Sequence, residues 1–225
     1  MSRFFKKAML VTAFTLTAGC GFKNIVKSSP PPVVQDTTVH TSLLSSTPLT
    51  ENEIKLVHGI FGTTVNTAIV KKYFYPASPL MVSRVPDRRS IQFYGNTCTS
   101  ADYSLDSDIF KFGAFVHEMT HVWQRQTANK DELQMCHTYD YTLDAASRFT
   151  DFCVEQQAAI VEDYARRFLH PGHKSFYTTD TPETDLLLRK VVEEQFPAAR
   201  ETRLAYEAQE KNVKTAAAAP KFLKL

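Results

Sequence analysis

His117, Glu118 and His121 form an HExxH within the stretch Phe110–Gln126, FKFGAFVHEMTHVWQRQ. On a helix, positions i and i+4 project about 40° apart, so the two imidazoles point the same way, one turn apart. Two imidazoles so placed can bind one zinc ion. Glu118 adjoins the first of them, where its carboxylate can take a proton from a polarised water and hand it to a leaving amine. The residue types and their spacing therefore lead to an expected zinc-dependent hydrolysis of peptide (amide) bonds, with Glu118 as the base.

A catalytic zinc needs a third protein ligand and one open position. A third histidine six residues on, with a glycine between, is ruled out because Gln124 and Thr127 occupy those places. A carboxylate on a second helix remains. Asp151–Leu169 reads as that helix, with Val154, Ala158, Val161, Ala165 and Phe168 on one face and Glu155, Ala159, Glu162 and Arg166 on the next. Glu155, in its first turn, is the expected ligand, and Glu162, two turns on, is the rival. Asp151 and Asp163 are weaker candidates, and His137, His170 and His173 read as surface residues. Tyr139 and Tyr141 share one side of an expected short strand, His137–Leu143. A phenol near zinc can stabilise a tetrahedral oxyanion, and packing within the strand is the other reading.

The elements that position these residues start at Thr50. Thr50-Glu51-Asn52-Glu53 is a capping box ahead of a stripe of Ile54, Val57, Ile60 and Phe61, with Gly62 as the C-terminal cap. Thr67–Tyr75, Leu80–Val85 and Ser90–Tyr94 read as strands. Ser90–Tyr94 lies ahead of the HExxH helix, and likeness to zinc peptidases of this general kind, in which such a strand often walls the cleft, leads to an expected exposed edge to which a peptide can add. Asp106-Ser107-Asp108 can cap the HExxH helix at the positive end of its dipole. Thr181-Pro182 opens a helix with Leu186, Leu187, Val191 and Val192 packed, and Pro197 ends it.

Residues 1–19 read as a lipoprotein signal peptide. Arg3, Lys6 and Lys7 form a basic start, Ala8–Ala18 is an apolar run short of a bilayer span, and Leu16-Thr17-Ala18-Gly19-Cys20 resembles a lipobox. That resemblance implies lipidation of Cys20, and Gly21 after it implies the outer membrane, facing the periplasm. Residues 20–49, rich in Ser, Thr and Pro, read as a disordered tether, 50–197 as the domain and 198–225 as a charged helix and tail. Without the three basic leader residues, the 26 Lys and Arg fall to 23 against 24 Asp and Glu, a balance that gives no sign of a nucleic-acid partner, and none is expected. The expected partners are a peptide or protein substrate and, through the lipid, a membrane. Cys98, Cys136 and Cys153 leave one over if two pair, and a pair would tie the flanks of the HExxH helix together.

HEMTHVWQ followed by EQQAAIVEDY resembles bacterial minimal zinc-peptidase-like domains found among Rhs- and Vgr-associated and contractile-injection proteins. LTENEIKLVHGIFGTTVN is similar to the first helix of that group, so the resemblance covers Leu49–Leu169. It implies an α+β class: a mostly helical, zincin-like (minimal gluzincin) domain with a small N-terminal antiparallel sheet. It further implies His117, His121 and Glu155 on zinc and Glu118 as base. In the larger thermolysin-like enzymes an Asp four residues after the ligand Glu supports a ligand His; Ala159 stands there in this chain. A second expectation is a non-catalytic, zinc-containing docking module of a secretion or envelope assembly.

Overall fold

The structure is a computed structural model, and it describes residues 18–19, 45–75, 82–95, 98–127 and 133–218. Cys20 and most of the expected signal peptide and tether lie outside the described residues. The class is α+β, as expected: a twisted sheet on one side, helices on the other, and the HExxH helix between them.

Five strands pair in the order β1-β4-β5-β3-β2: β1 Ala18–Gly19, β2 Ser45–Pro48, β3 Lys71–Tyr75, β4 Val82–Asp87 and β5 Ser90–Tyr94. The sheet is mixed, not wholly antiparallel. β4 and β5 form a hairpin through Arg88-Arg89, and β5 inserts beside β3, so β3 and β5 run parallel with Lys71 opposite Ser90. Ser90–Tyr94 is consequently an interior strand with both edges paired, not the exposed cleft edge expected of it. β4 packs most fully on the HExxH helix, and its outer edge pairs with Ala18 and Gly19, the last two residues of the expected signal peptide. Ser45–Pro48, placed in the tether by composition, pairs antiparallel with β3.

The helices are α1 Glu51–Phe61, α2 Ile109–Thr127, α3 Val154–Phe168, α4 Pro182–Gln195 and α5 Pro197–Ala218. Their ends follow local chemistry. Thr50 and Glu53 close the expected capping box on α1, and Gly62 stops it at a positive φ of 63°, a conformation that suits glycine. Asp108 caps α2 by accepting from the Phe110 N–H at 2.9 Å. Thr181 caps α4 ahead of Pro182. In α4 the packed residues are Leu188, Val191 and Val192, whereas Leu186 faces solvent. Leu188 shares a face with Val191 and Val192, three and four residues on, whereas Leu186 lies off that face. α5 is not an appendage: Thr202 donates to the Gly59 carbonyl at 2.8 Å, and Ala199 is buried in the core.

Every residue of α2 from Phe112 to Val122 is buried, so the helix is enclosed on all sides rather than along one stripe. Towards the sheet, rings of Phe93, Tyr103 and Phe115 stack at 4.6 and 5.3 Å. Trp123 meets Phe61 and Phe196 at the α1–α4 end. α3 covers the opposite flank.

The capping residue Glu53 also joins helix to sheet. Its carboxylate accepts from the Thr50 N–H (2.9 Å), the Tyr103 N–H (2.9 Å) and Lys72 Nζ (2.7 Å), and both charged side chains are buried. Removing one partner strands the other charge in a dry interior. Glu53→Ala is therefore expected to lower stability by about 3–5 kcal/mol, seen as a fall in the urea midpoint at unchanged slope.

Candidate metal centre

His117 and His121 reach the face of α2 that meets α3, where Glu155 enters from the first turn. The three side chains are buried and offer ligand atoms within 4.8 Å of one another. His117 Nε2 lies 3.2 Å from Glu155 Oε2, and His121 Nε2 lies 3.2 Å from Glu155 Oε1. Glu155 is thus the carboxylate that converges with both rings, as the sequence favours. Asp151 sits on the surface paired with Arg148, and Asp163 holds the Phe176 and Tyr177 N–H groups; neither joins the cluster.

Glu162 takes a different position, on the far side of the His117 ring. Its Oε2 lies 3.0 Å from His117 Nδ1. Glu155 and Glu162 are seven residues apart, two turns and about 10 Å along one face of α3, and the imidazole spans the gap between them. Glu162 therefore does for His117 what the Asp absent at position 159 does elsewhere. Arg166, one turn on, pairs with Glu162 at 2.5 Å and lies between the rings of Phe110 and Phe176. Gly113 on α2 makes room for this guanidinium: a Cβ there would overlap it. His121 is held in the same manner by a neutral group. Its Nδ1 lies 2.8 Å from Gln124 Oε1, and the Gln124 amide donates to the Val154 carbonyl and Gln157 Oε1.

These partners fix what the site can hold. Glu162 and Gln124 can each take an Nδ1–H, which would leave each Nε2 free to offer a lone pair to a cation beside Glu155. Without a cation, a protonated His117 donates to Glu155 through Nε2 instead. Burial disfavours a charged His117, yet its hydrogen bonds to Glu155 and Glu162 and their charges raise its pKa to about 10. Burial opposes an ionised Glu155, and the two histidines nevertheless hold its pKa down at about 2. Glu155 Oε1 makes no hydrogen bond, despite its nearness to His121. Two imidazole nitrogens and a carboxylate suit a zinc ion, and the orphaned oxygen fits a metal partner.

Glu118 lies beside this triad on the sheet side. Ser83 of β4 donates to its Oε1 at 2.8 Å, while Oε2 is buried without a hydrogen-bond partner among the described residues. Burial raises the pKa of Glu118, against the two histidines, which lower it. Ser83 has no distinct sequence signal for its role, whereas helical spacing could have found Gln124, three residues after His121, and Arg166, four after Glu162.

Tyr139 reaches the same centre, but not from a strand. Residues 133–148 are irregular chain, fastened by the Cys136–Cys153 disulfide and by the Val154 N–H donating to the Gln134 carbonyl at 2.9 Å. The strand expected over His137–Leu143 does not form because this segment hydrogen-bonds to α3, through Gln156 on the Asp140 carbonyl and Tyr141 on Asp163, with no neighbouring strand to pair with. Cys98 is buried apart from the disulfide. His170 and His173, read as surface residues, bind the Asp106 carbonyl and Glu210 respectively.

No known family model matches the chain. Over 129 residues, 52% of its length, the chain is 31% identical to the type VI secretion system spike protein VgrG2b of Pseudomonas aeruginosa, and the match spans 12% of that protein. The solved effector domain of Pseudomonas aeruginosa VgrG2b is 27% identical, with 59% of this chain and 80% of that one covered, at a TM-score of 0.45.

Glu162→Gln keeps the shape of the His117 partner and removes its charge. It is expected to weaken zinc binding by about 10–100-fold, and Gly113→Ala, which displaces Arg166 from Glu162, should weaken it in the same direction. Titration calorimetry on the metal-stripped protein measures both.

Proposed function

We propose that this chain is a zinc-dependent peptidase that hydrolyses amide bonds at the His117–His121–Glu155 centre. The observation that carries the reading is Glu118: a buried carboxylate beside a three-ligand donor set, with one oxygen held by Ser83 and the other unengaged. A site that only braces a fold has no use for such a group, and a donor set of three leaves a coordination corner for water or substrate. Zinc bound there would polarise the scissile carbonyl and acidify an attacking water.

Glu118 takes the proton of that water as its oxygen bonds to the carbonyl carbon and the C=O pair moves onto the carbonyl oxygen. Glu118 then passes the proton to the amide nitrogen, and the C–N bond breaks as the C=O bond re-forms. Glu162 and Gln124 hold the two rings in the tautomer that directs Nε2 inward. Ser83 keeps Glu118 aimed. The peptide or protein substrate is expected at the bacterial envelope, since residues 1–20 resemble a lipoprotein leader that places Cys20 under a lipid anchor. Among the described residues no helix is long and apolar enough to cross a membrane, so anchoring at the outer membrane rests on that leader alone.

The likeness to a secretion-system spike protein favours a second reading, a zinc-containing docking module of a secretion or envelope assembly. Glu118→Gln separates the two. The variant is expected to retain one zinc and to lose hydrolysis of a mixed-sequence quenched fluorogenic peptide library by about 10²–10⁴-fold. Equal cleavage by the variant, or none by the zinc-loaded wild type, would reject the peptidase and leave the docking module.

A further inference from the structure

The Cys136–Cys153 disulfide sits where its state decides how one wall of the metal centre is held. Cys153 is the N-cap of α3, two residues ahead of Glu155, and it is buried. Cys136 is part-exposed on the irregular chain. From Leu133 to Asp140 no residue is fully buried, so that stretch has little packing to keep it in place. Its fastenings are specific ones. The Gln134 carbonyl accepts from the Val154 N–H at 2.9 Å, Gln156 grips the Asp140 carbonyl at 2.7 Å, and the crosslink lies between them. Further on, Tyr141 on Asp163 and Lys190 on the Ala145 and Ser147 carbonyls hold the chain without help from sulfur. Opening the bond therefore loosens residues 133–140 and leaves the rest of the segment attached.

That stretch faces the candidate site: the ring centroid of Tyr139 lies 5.6 Å from that of His117. The ligand set does not share its dependence on the crosslink. His117, His121 and Glu155 are buried on α2 and α3, and Gln124 clamps the two helices through the Val154 carbonyl and Gln157. Ligands and wall are thus held by different forces, the first by the core and the second by a covalent bond that chemistry can open. The geometry also sets the direction of attack. An incoming thiolate meets Cys136 first, because Cys153 is covered. Cys98, the free cysteine among the described residues, is buried and offers no competing thiol at the surface.

We propose that Cys136–Cys153 is a thiol–disulfide exchange site that switches this wall, with a protein dithiol as co-reactant. One thiolate of the dithiol bonds to Cys136 Sγ, and the S–S bond breaks with its electron pair leaving on Cys153 Sγ, which takes a proton from water. The second thiolate of the dithiol then attacks the first, now in the mixed disulfide, and Cys136 leaves as a thiolate and is protonated. Two electrons pass from the dithiol, which becomes a disulfide, to the cysteine pair, which is reduced. The closed form holds the wall against the metal centre and is the working one. The open form keeps the ligands and loses the wall. Thiol pools inside a cell keep such bonds open, and exported proteins close them. For a chain with the leader expected at residues 1–19, export and closure therefore coincide. The effect on hydrolysis rests on the peptidase reading, and the loosening of the wall does not.

The test follows the zinc-loaded full chain, oxidised and after treatment with reduced thioredoxin. Beside it stands the double variant Cys136→Ser, Cys153→Ser, which mimics the open form without thiols that bind zinc. Limited chymotrypsin digestion reads the wall, calorimetry on the double variant reads zinc affinity, and the fluorogenic peptide library reads kcat. Thioredoxin should open the bond, and cutting between Leu133 and Tyr141 should then run about tenfold faster while α2 and α3 stay intact. Zinc affinity of the double variant should stay within about threefold of the oxidised chain. Its kcat, and that of the reduced wild type, should fall by about tenfold or more, and re-oxidation should restore the wild type alone. A bond that resists thioredoxin, or equal cutting of the closed and open forms, overturns the proposal. So does a tenfold loss of zinc affinity, which would make the crosslink a support for Glu155, or a kcat that reduction leaves unchanged. An oxidised wild type that cleaves nothing, with the wall still loosened by reduction, removes the peptidase reading and leaves the exchange site standing.

Discussion

Three carboxylates, those of Glu118, Glu155 and Glu162, are buried in one layer around His117 and His121. Like charges at such range, away from water, repel strongly, and a fold can keep them there only by supplying positive charge. Arg166 answers Glu162, and either a protonated His117 or a cation between Glu155 and the two Nε2 atoms answers Glu155. Much of the architecture follows from that demand. α2 is enclosed on every side, so its histidines have no solvent to turn towards, and α3 is pressed closely enough against it that only a glycine fits at position 113 beneath Arg166.

The remainder of the domain keeps those two helices in register. The sheet supports α2 through the Phe93–Tyr103–Phe115 stack and through Ser83, and the Glu53–Lys72 pair locks the sheet to α1. α5 then closes over α1 through Thr202. A charge network at the centre and a second, separate one beneath the sheet divide the work. The first orders the candidate site and the second holds the layers together.

Much of this was legible in the sequence. Capping residues placed α1, α2 and α4 because caps are local chemistry, and the 3.6-residue period exposed the Glu155–Glu162 face of α3 for the same reason. Helical spacing could not decide between the two acids, because both lie on that face; a ring inserted between them gives each its own role. Strand order was not legible. A hairpin that inserts its second strand beside an earlier one leaves the same alternating pattern as an edge strand, so β5 looked exposed and is interior. Tyr139 was read into a strand by its alternation with Tyr141, although its position depends on a disulfide and on side chains of α3 that no local pattern encodes. The sequence likeness to a spike-protein segment covers half of the chain, and the site's roles rest on the geometry itself.

The Cys136–Cys153 bond spans 17 positions and joins irregular chain to the turn just ahead of Glu155. The His117–His121–Glu155 corner is built from two helices that cannot shift without breaking the core, whereas the wall facing it is irregular chain. The exposed positions His137, Thr138 and Asp140 can be exchanged at small cost to folding, since the crosslink, Tyr141 on Asp163 and Gln156 on the Asp140 carbonyl keep the wall in place. Under the peptidase reading, selectivity and reactivity would thereby be separable: one could drift while the other stays fixed.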